Sequence, residues 1–233
     1  MNQAKTEAGS DPGRRVALMF SGGKDSMAAL LALRADPEFA LKALISTVSA
    51  ESLRVPIHGT PVDLLRAQAA ALELPLELIP LPDPASNDIY VDTLAESLAP
   101  LAARGIQGVA FGDLFLEDIR SFREQQFQSL PFEPLFPLWG QATGPLARRM
   151  IDEGIRAIVC SIDRTRLPEE SLGKPWTHDW LDRLPEGVDP CGENGEFHTV
   201  VVDAPGFSAP ITVRPGPRRV ERERFLTLDL QRV

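Results

Sequence analysis

The junction "MFSGGKDSMAALLAL" (19–33) joins two apolar segments of different character through a glycine loop, and it constrains the fold more than any other stretch. Upstream, "VALMF" (16–20) is a continuous apolar run of strand length. Downstream, "SMAALLALR" (26–34) has helical length and is apolar nearly all round, as a helix buried against a sheet must be. A strand that passes into a buried helix through glycines is the opening unit of a parallel sheet.

The same alternation continues. "LKALISTV" (41–48) reads as a second strand, and in "GTPVDLLRAQAAALEL" Thr60 caps a helix that has Pro61 in its first position and Val62, Leu65, Ala69 and Leu72 on one face. "LELIPL" (76–81) is a third strand, followed by a helix over 86–105 that starts on Ser86 and ends at Gly105. Next come a strand in "IQGVAFGD" (106–113), a helix over 114–130, the unit "PLFPLW" (134–139), a helix near 143–153 and a strand over 155–163 that completes a doubly wound core. Beyond 164 the regularity gives way to prolines, tryptophans and β-like runs. The expected fold is therefore an α/β, Rossmann-like doubly wound parallel sheet with a smaller C-terminal α+β section. Its divisions are a loose tail over 1–14, a nucleotide-binding domain over 15–163 and a substrate-binding section over 164–233.

Bulk properties exclude several functions. A net charge of −9 on 233 residues gives no general attraction to a nucleic-acid backbone. Cys160 and Cys191 are the only cysteines, with no CxxC pair, so a disulfide framework and a zinc ribbon are both disfavoured and a reducing, cytoplasmic setting fits. No apolar segment is long enough to serve as a membrane span.

The loop itself is built for an anion. Gly22 and Gly23 let backbone N–H groups approach closely, Lys24 adds a point charge, Ser21 and Ser26 offer hydroxyls, and Asp25 lies among them at the positive end of the helix dipole. The spacing is neither GxxxxGK[ST] nor GxGxxG, which argues against a P-loop kinase and a dinucleotide fold. A second polar concentration is "DPCGENGEFHTVVVD" (189–203). Strand alternation puts Glu196 and His198 on one face. A hairpin turn explains the glycines and Asn194, but not Glu193, Glu196 and His198 together. These three are assigned to acceptor binding or acid–base work. On the helix over 114–130, Glu117, Arg120, Glu124 and Gln128 form one stripe, which taken alone is an ordinary solvated face.

"SGGKDS" resembles the pyrophosphate-binding loop of the PP-loop ATP pyrophosphatase (adenine nucleotide alpha hydrolase) superfamily. "GDLFLEDIRSFRE" (112–124), "PLFPLWG" (134–140), "DPCGENGEFHT" (189–199) and "VDAPGF" (202–207) resemble the diphthine-ammonia ligase family and its bacterial relatives. The resemblance implies an AMP-forming ligase that adenylates a carboxylate, in the family the diphthine residue of elongation factor 2, and then transfers ammonia. ATP and Mg²⁺ are the implied cofactors. Ser21 to Ser26 and His58 would bind the nucleotide, Asp113 would hold Mg²⁺ or orient the amine, and Arg120, Glu124 and Asn194 would bind the acceptor. In the acceptor region the chain departs from the family pattern, with "RSFRE" in place of RxRxE, so that Arg123 is displaced by one position. Another carboxylate acceptor, a tRNA substrate and a non-catalytic ATP or AMP sensor stay open as alternatives.

Overall fold

The computed structural model describes residues 13–82, 87–221 and 223–233; the expected tail and the Ser86 cap lie outside these. Five parallel strands, β1 (Arg14–Met19), β2 (Phe39–Ser49), β3 (Leu76–Leu81), β4 (Gly108–Ala110) and β5 (Glu133–Leu135), form one sheet in the order β3-β2-β1-β4-β5. Helices α1 (Lys24–Ala35) and α2 (Val62–Ala71) contribute to a core cluster on one face. The long α3 (Asn87–Ala103) and α4 (Glu117–Phe127) supply Leu94, Leu98, Leu101 and Phe127 to a second cluster with Ala17, Ala43, Ile45 and Val109 of the strands. Strands covered on both faces must be apolar on both faces, which is why β1 and β4 read as unbroken runs. The doubly wound expectation holds.

The strand over 155–163 is a correction. It forms β6 (Arg156–Asp163), but in a second, antiparallel sheet with β7 (Pro175–Trp176), β8 (Phe197–Asp203), β9 (Val213–Glu221) and β10 (Phe225–Arg232). Thus β8 pairs with β6 from Arg156 to Ile162, nearly its whole length, while β7 and β10 pair with successive stretches of it, all antiparallel. Its sequence concealed this, because a strand buried on both faces looks the same in either kind of sheet. Two further helices precede and follow it, α5 (Thr143–Asp152) and α6 (His178–Leu181). The helix expected over 114–130 is shorter at both ends, "PLFPLW" yields only the short β5, and Pro61 rather than Thr60 is the N-cap of α2.

Asp163, at the end of β6, is fully buried. Arg224 donates to its Oδ2 through both Nε (2.7 Å) and Nη2, and Thr165 donates to Oδ1 from N–H (2.9 Å) and Oγ1 (2.7 Å). Burial alone would raise this carboxyl, but these donors outweigh it and hold the group at about 2, against an ordinary 3.8. The carboxylate therefore contributes about 2 kcal/mol of stability above the ordinary value, which is lost as pH falls through 2. Urea unfolding between pH 5 and 2 should show that slope in the native chain and not in Asp163→Asn.

Candidate active site

The strand order reverses between β1 and β4, and ligands of open parallel sheets bind beyond the carboxyl ends of strands at such a switch point. A cavity of about 570 Å³ lies there. Its walls include Ser21, Asp25 and Ser26 from the loop after β1, Ser46 from β2, His58, Gly112 and Asp113 after β4, Arg123 from α4, and Glu193, Phe197 and His198 from the second sheet and the loop before it. A Cβ on Gly112 would sit 3.1 Å from the backbone of Asp25 and Ser26, so this glycine lets the two strand ends converge.

The second sheet holds the glycine loop in place. Gly22 has φ +78, and its carbonyl accepts from Val201 N–H (2.9 Å) and from Gln68 Nε2 (2.9 Å), which also donates to Val201 O (2.7 Å). Lys24 N–H donates to Thr199 Oγ1 (3.1 Å) and Gly23 N–H to Ser21 Oγ (3.4 Å), so two of the loop amides already have partners within the chain. Ser26 Oγ donates to Gly23 O (2.9 Å), securing the first turn of α1. A Cβ on Gly22 would fall 2.4 Å from Gln68 Oε1. Gly22→Ala is expected to lower stability by about 1–3 kcal/mol, from left-handed strain and this clash together, read as a shifted urea midpoint.

Lys24 does not face the cavity. It is 1% exposed, and its amine donates to Asp25 Oδ2 (2.8 Å) and to Cys191 O, with the ring of Phe197 4.9 Å away. Burial would lower its pKa, but the Asp25 carboxylate outweighs burial and keeps the amine charged. The expected point charge thus lies beneath the loop, not at its mouth.

Three carboxylates stand on the cavity wall. Glu193 Oε1 accepts the N–H of Leu114 (2.7 Å), bridging the 189–196 segment to the end of β4. Burial pushes its carboxyl up to about 7, with Asp25 and Asp113 adding to the shift against the pull of the Leu114 N–H and Lys24. Asp113 is raised chiefly by burial, with Arg123 opposing. Its Oδ2 lies 3.7 Å from Arg123 Nε, and the third carboxylate, Asp25, has a buried Oδ1 without a hydrogen bond. Among the described residues no three histidine, cysteine or acidic side chains form a metal-binding group.

His58 and His198 meet ring to ring, with centroids 4.3 Å apart at 47°. Burial and the nearby Lys24 charge lower His58 to about 4, and burial, His58 and Lys24 hold His198 well below its usual range. Both imidazoles are neutral at pH 7, and His58 Nδ1 and His198 Nε2 are buried without a partner.

Seven expected site residues lie outside the cavity wall: Gly22, Gly23 and Lys24 of the loop, and Glu196, Asn194, Arg120 and Glu124. Glu196 precedes β8 and is 2% exposed; its Oε1 accepts from Asp189 N–H (3.1 Å) and Asn194 Nδ2 (3.2 Å), so it braces the 189–194 loop instead of sharing a face with His198. Asn194 is exposed. Arg120 Nε donates to Glu124 Oε1 (2.8 Å), and the Arg120 guanidinium lies 4.8 Å from the ring of Trp139. On α4 it is Ile119, Phe122 and Arg123 that face the cavity; the polar stripe of 117, 120 and 124 points elsewhere, as its solvated appearance indicated. Cys191 is buried, and burial raises its thiol well above the usual range, which rules against a ready nucleophile.

Sequence reasoning missed Asp189, Gln68, Thr199 and the cavity role of Arg123. Asp189 accepts from Thr143 Oγ1 (2.5 Å), Cys191 N–H (2.9 Å) and Glu193 N–H (3.1 Å), which shapes the loop that presents Glu193. A legible signal existed for Gln68, an amide on the same apolar stripe of α2 as Leu65 and Leu72. Thr199 had none, since its partner Lys24 is 175 residues away, whereas Asp189 has two partners within four residues, the pattern of an aspartate that shapes a turn.

A glycine loop at the switch point of a parallel sheet, opening α1 beside an acidic cavity, has the place in the fold that a nucleotide-binding loop of an α/β enzyme takes. A family model described as diphthamide synthase N-terminal domain matches residues 14–130, and one described as diphthamide synthase C-terminal domain matches 143–231. The chain belongs to the diphthamide synthase family and is an enzyme of the ligase class. Diphthine-ammonia ligase of Mus musculus is 29% identical over 225 residues, covering 85% of this chain and 82% of that one. The Homo sapiens protein of the same name is 28% identical over 221 residues, with the same coverage. A solved structure of the U34-tRNA thiolase NcsA from Methanococcus maripaludis aligns over 60% of this chain and 58% of its own, at TM-score 0.37 and 17% identity. Among the described residues no helix is long and apolar enough to cross a membrane.

Proposed function

We propose that the chain is an AMP-forming ligase that activates a carboxylate with ATP and converts it to an amide with ammonia. The observation that supports this best is the meeting, on one cavity wall, of Ser21, Asp25 and Ser26 beside the glycine pair with two further acids, Asp113 and Glu193, and two neutral imidazoles. The glycine loop and the N-terminus of α1 receive the phosphates, and Lys24 supports them from beneath the loop. An acceptor carboxylate oxygen attacks the α-phosphorus, the bond to the bridging oxygen breaks and pyrophosphate leaves. Ammonia then attacks the acyl carbon of the mixed anhydride, the C–N bond forms and AMP departs.

Ammonia in water is mostly ammonium, so a proton must be taken up. Glu193, with its carboxyl near 7, is matched to that exchange at neutral pH. The free lone pairs of His58 and His198 accept N–H groups of the entering nitrogen. Mg²⁺ fits the acidic wall, where the orphaned Asp25 Oδ1 and the neighbouring Asp113 would hold it alongside phosphate oxygens. When bound it would supply charge neutralisation for the triphosphate.

The acceptor proposed first is the diphthine of elongation factor 2, in line with the names of the relatives. The deciding experiment offers Mg-ATP, ammonium and diphthine-bearing elongation factor 2 to the purified chain and quantifies AMP and pyrophosphate. Product that depends on both the factor and ammonium supports the proposal. ATP binding without factor-dependent product would remove diphthine as the acceptor and favour another carboxylate or a sensor.

A further inference from the structure

We infer that Arg123 is the residue that receives the acceptor's carboxylate. The inference rests on the ligase reading above and adds the acceptor subsite to it.

Charge is the first argument. Arg123 is the one lysine or arginine among the described residues that line the cavity, whereas Asp25, Asp113 and Glu193 all line it as acids. A carboxylate approaching the α-phosphorus through such a wall needs a cation to meet it, and Lys24 is buried beneath the loop.

Geometry is the second. The ties of Arg123 are loose: Nη1 donates to Tyr90 Oη at 3.4 Å, and Nε stands 3.7 Å from Asp113 Oδ2, beyond hydrogen-bond reach. Both Arg123 Nε and Asp113 Oδ2 are buried and without a hydrogen bond. The guanidinium carbon lies 5.0 Å from the centroid of the Phe111 ring. An unsatisfied buried donor such as Nε is costly, and a guanidinium can grip a carboxylate with two parallel hydrogen bonds. Arg120, which family resemblance suggested for this task, already spends its Nε on Glu124.

Ile119 and Phe122, one turn or less from Arg123 on the cavity face of α4, are apolar, so Arg123 supplies the polar contact of this helix to the cavity. The glycine loop is supplied by a different element, α1, so phosphate and carboxylate have separate receptors.

Two measurements test this. In the first, the Arg123 Nε–H resonance of the full chain, loaded with a non-hydrolysable ATP analogue, is followed while sodium butyrate or butyramide is added. A saturable shift with butyrate and none with butyramide is the expected result. No shift with butyrate, or a shift caused by the ATP analogue to which butyrate adds nothing, would overturn the inference and make Arg123 a phosphate contact. In the second, Arg123→Lys should raise the KM for diphthine-bearing elongation factor 2 by about tenfold or more, because an ammonium cannot replace a planar fork, and leave the KM for ATP within about twofold. Equal losses for both substrates would also overturn it. A butyrate-dependent shift in a chain that never turns over with the factor would uphold the carboxylate subsite and refute only the choice of diphthine.

Discussion

Lys24→Met is expected to cost about 3–5 kcal/mol of stability and to lower AMP formation by roughly 10²–10³, a double loss that follows from where the amine lies. The methionine keeps most of the stem's packing against Phe197 but removes the charge that pairs with Asp25 Oδ2 and the donor that reaches Cys191 O. The buried Cys191 carbonyl then loses its donor, and the Asp25 carboxylate, whose side chain is 27% exposed on the cavity wall, loses its counter-charge. The same change removes positive charge from beneath the phosphate loop. Urea unfolding measures the first effect and product formation the second. The double variant Lys24→Met with Asp25→Asn should recover part of the stability, because no carboxylate is stranded, and none of the activity. If Lys24→Met were as stable as the native chain but inactive, the buried pairing would be refuted in favour of a lysine that lies in the cavity on the phosphates.

Glu193→Gln is expected to lower kcat by about 10²–10⁴ and to abolish a rise in rate through pH about 7. As a base the carboxyl must be ionised, so activity grows as pH passes its titration, provided the assay holds free ammonia constant. Stability should move the opposite way. The folded chain keeps the Glu193 proton up to about 7, whereas the unfolded chain releases it near the ordinary 4.5, so the native state binds more protons between these values. Stability therefore falls as pH rises through that window, and this slope should be absent in Glu193→Gln. Asp25, Asp113 and Lys24 face the same group, and the amide of Leu114 donates to it, so the glutamine variant must be compared with the native chain across the whole range rather than at one pH. An unchanged acid limb in the variant would assign the proton transfer to another group.

Much of the first sheet was legible because its signals are local. The strand-loop-helix at 16–34 needs only a change of apolar period and two glycines, and both the parallel class and the loop's place at a strand end follow. His198 was legible as a polar residue beside a valine run, whereas His58 came only from the family resemblance, and the structure brings the two together across 140 residues. The acceptor region was less legible. Helical spacing groups Arg120 with Glu124 as readily as it groups Ile119, Phe122 and Arg123, and periodicity does not say which stripe turns inward. Glu196 misled for a related reason: alternation assumes that the strand has already begun, and β8 starts one residue later.

What the sequence by itself determined was the set of local conformations: the apolar periods, and a glycine loop at the head of a buried helix. These depend on backbone sterics and on side chains a few positions apart. Only the tertiary structure decided that β6 leaves the parallel sheet, that Thr199 and Val201 hold the glycine loop, that Lys24 lies beneath that loop, and that Arg123 enters the cavity. Each of these depends on which surfaces meet after the chain has folded, and burial and pairing between distant residues are properties of that meeting, not of any segment alone.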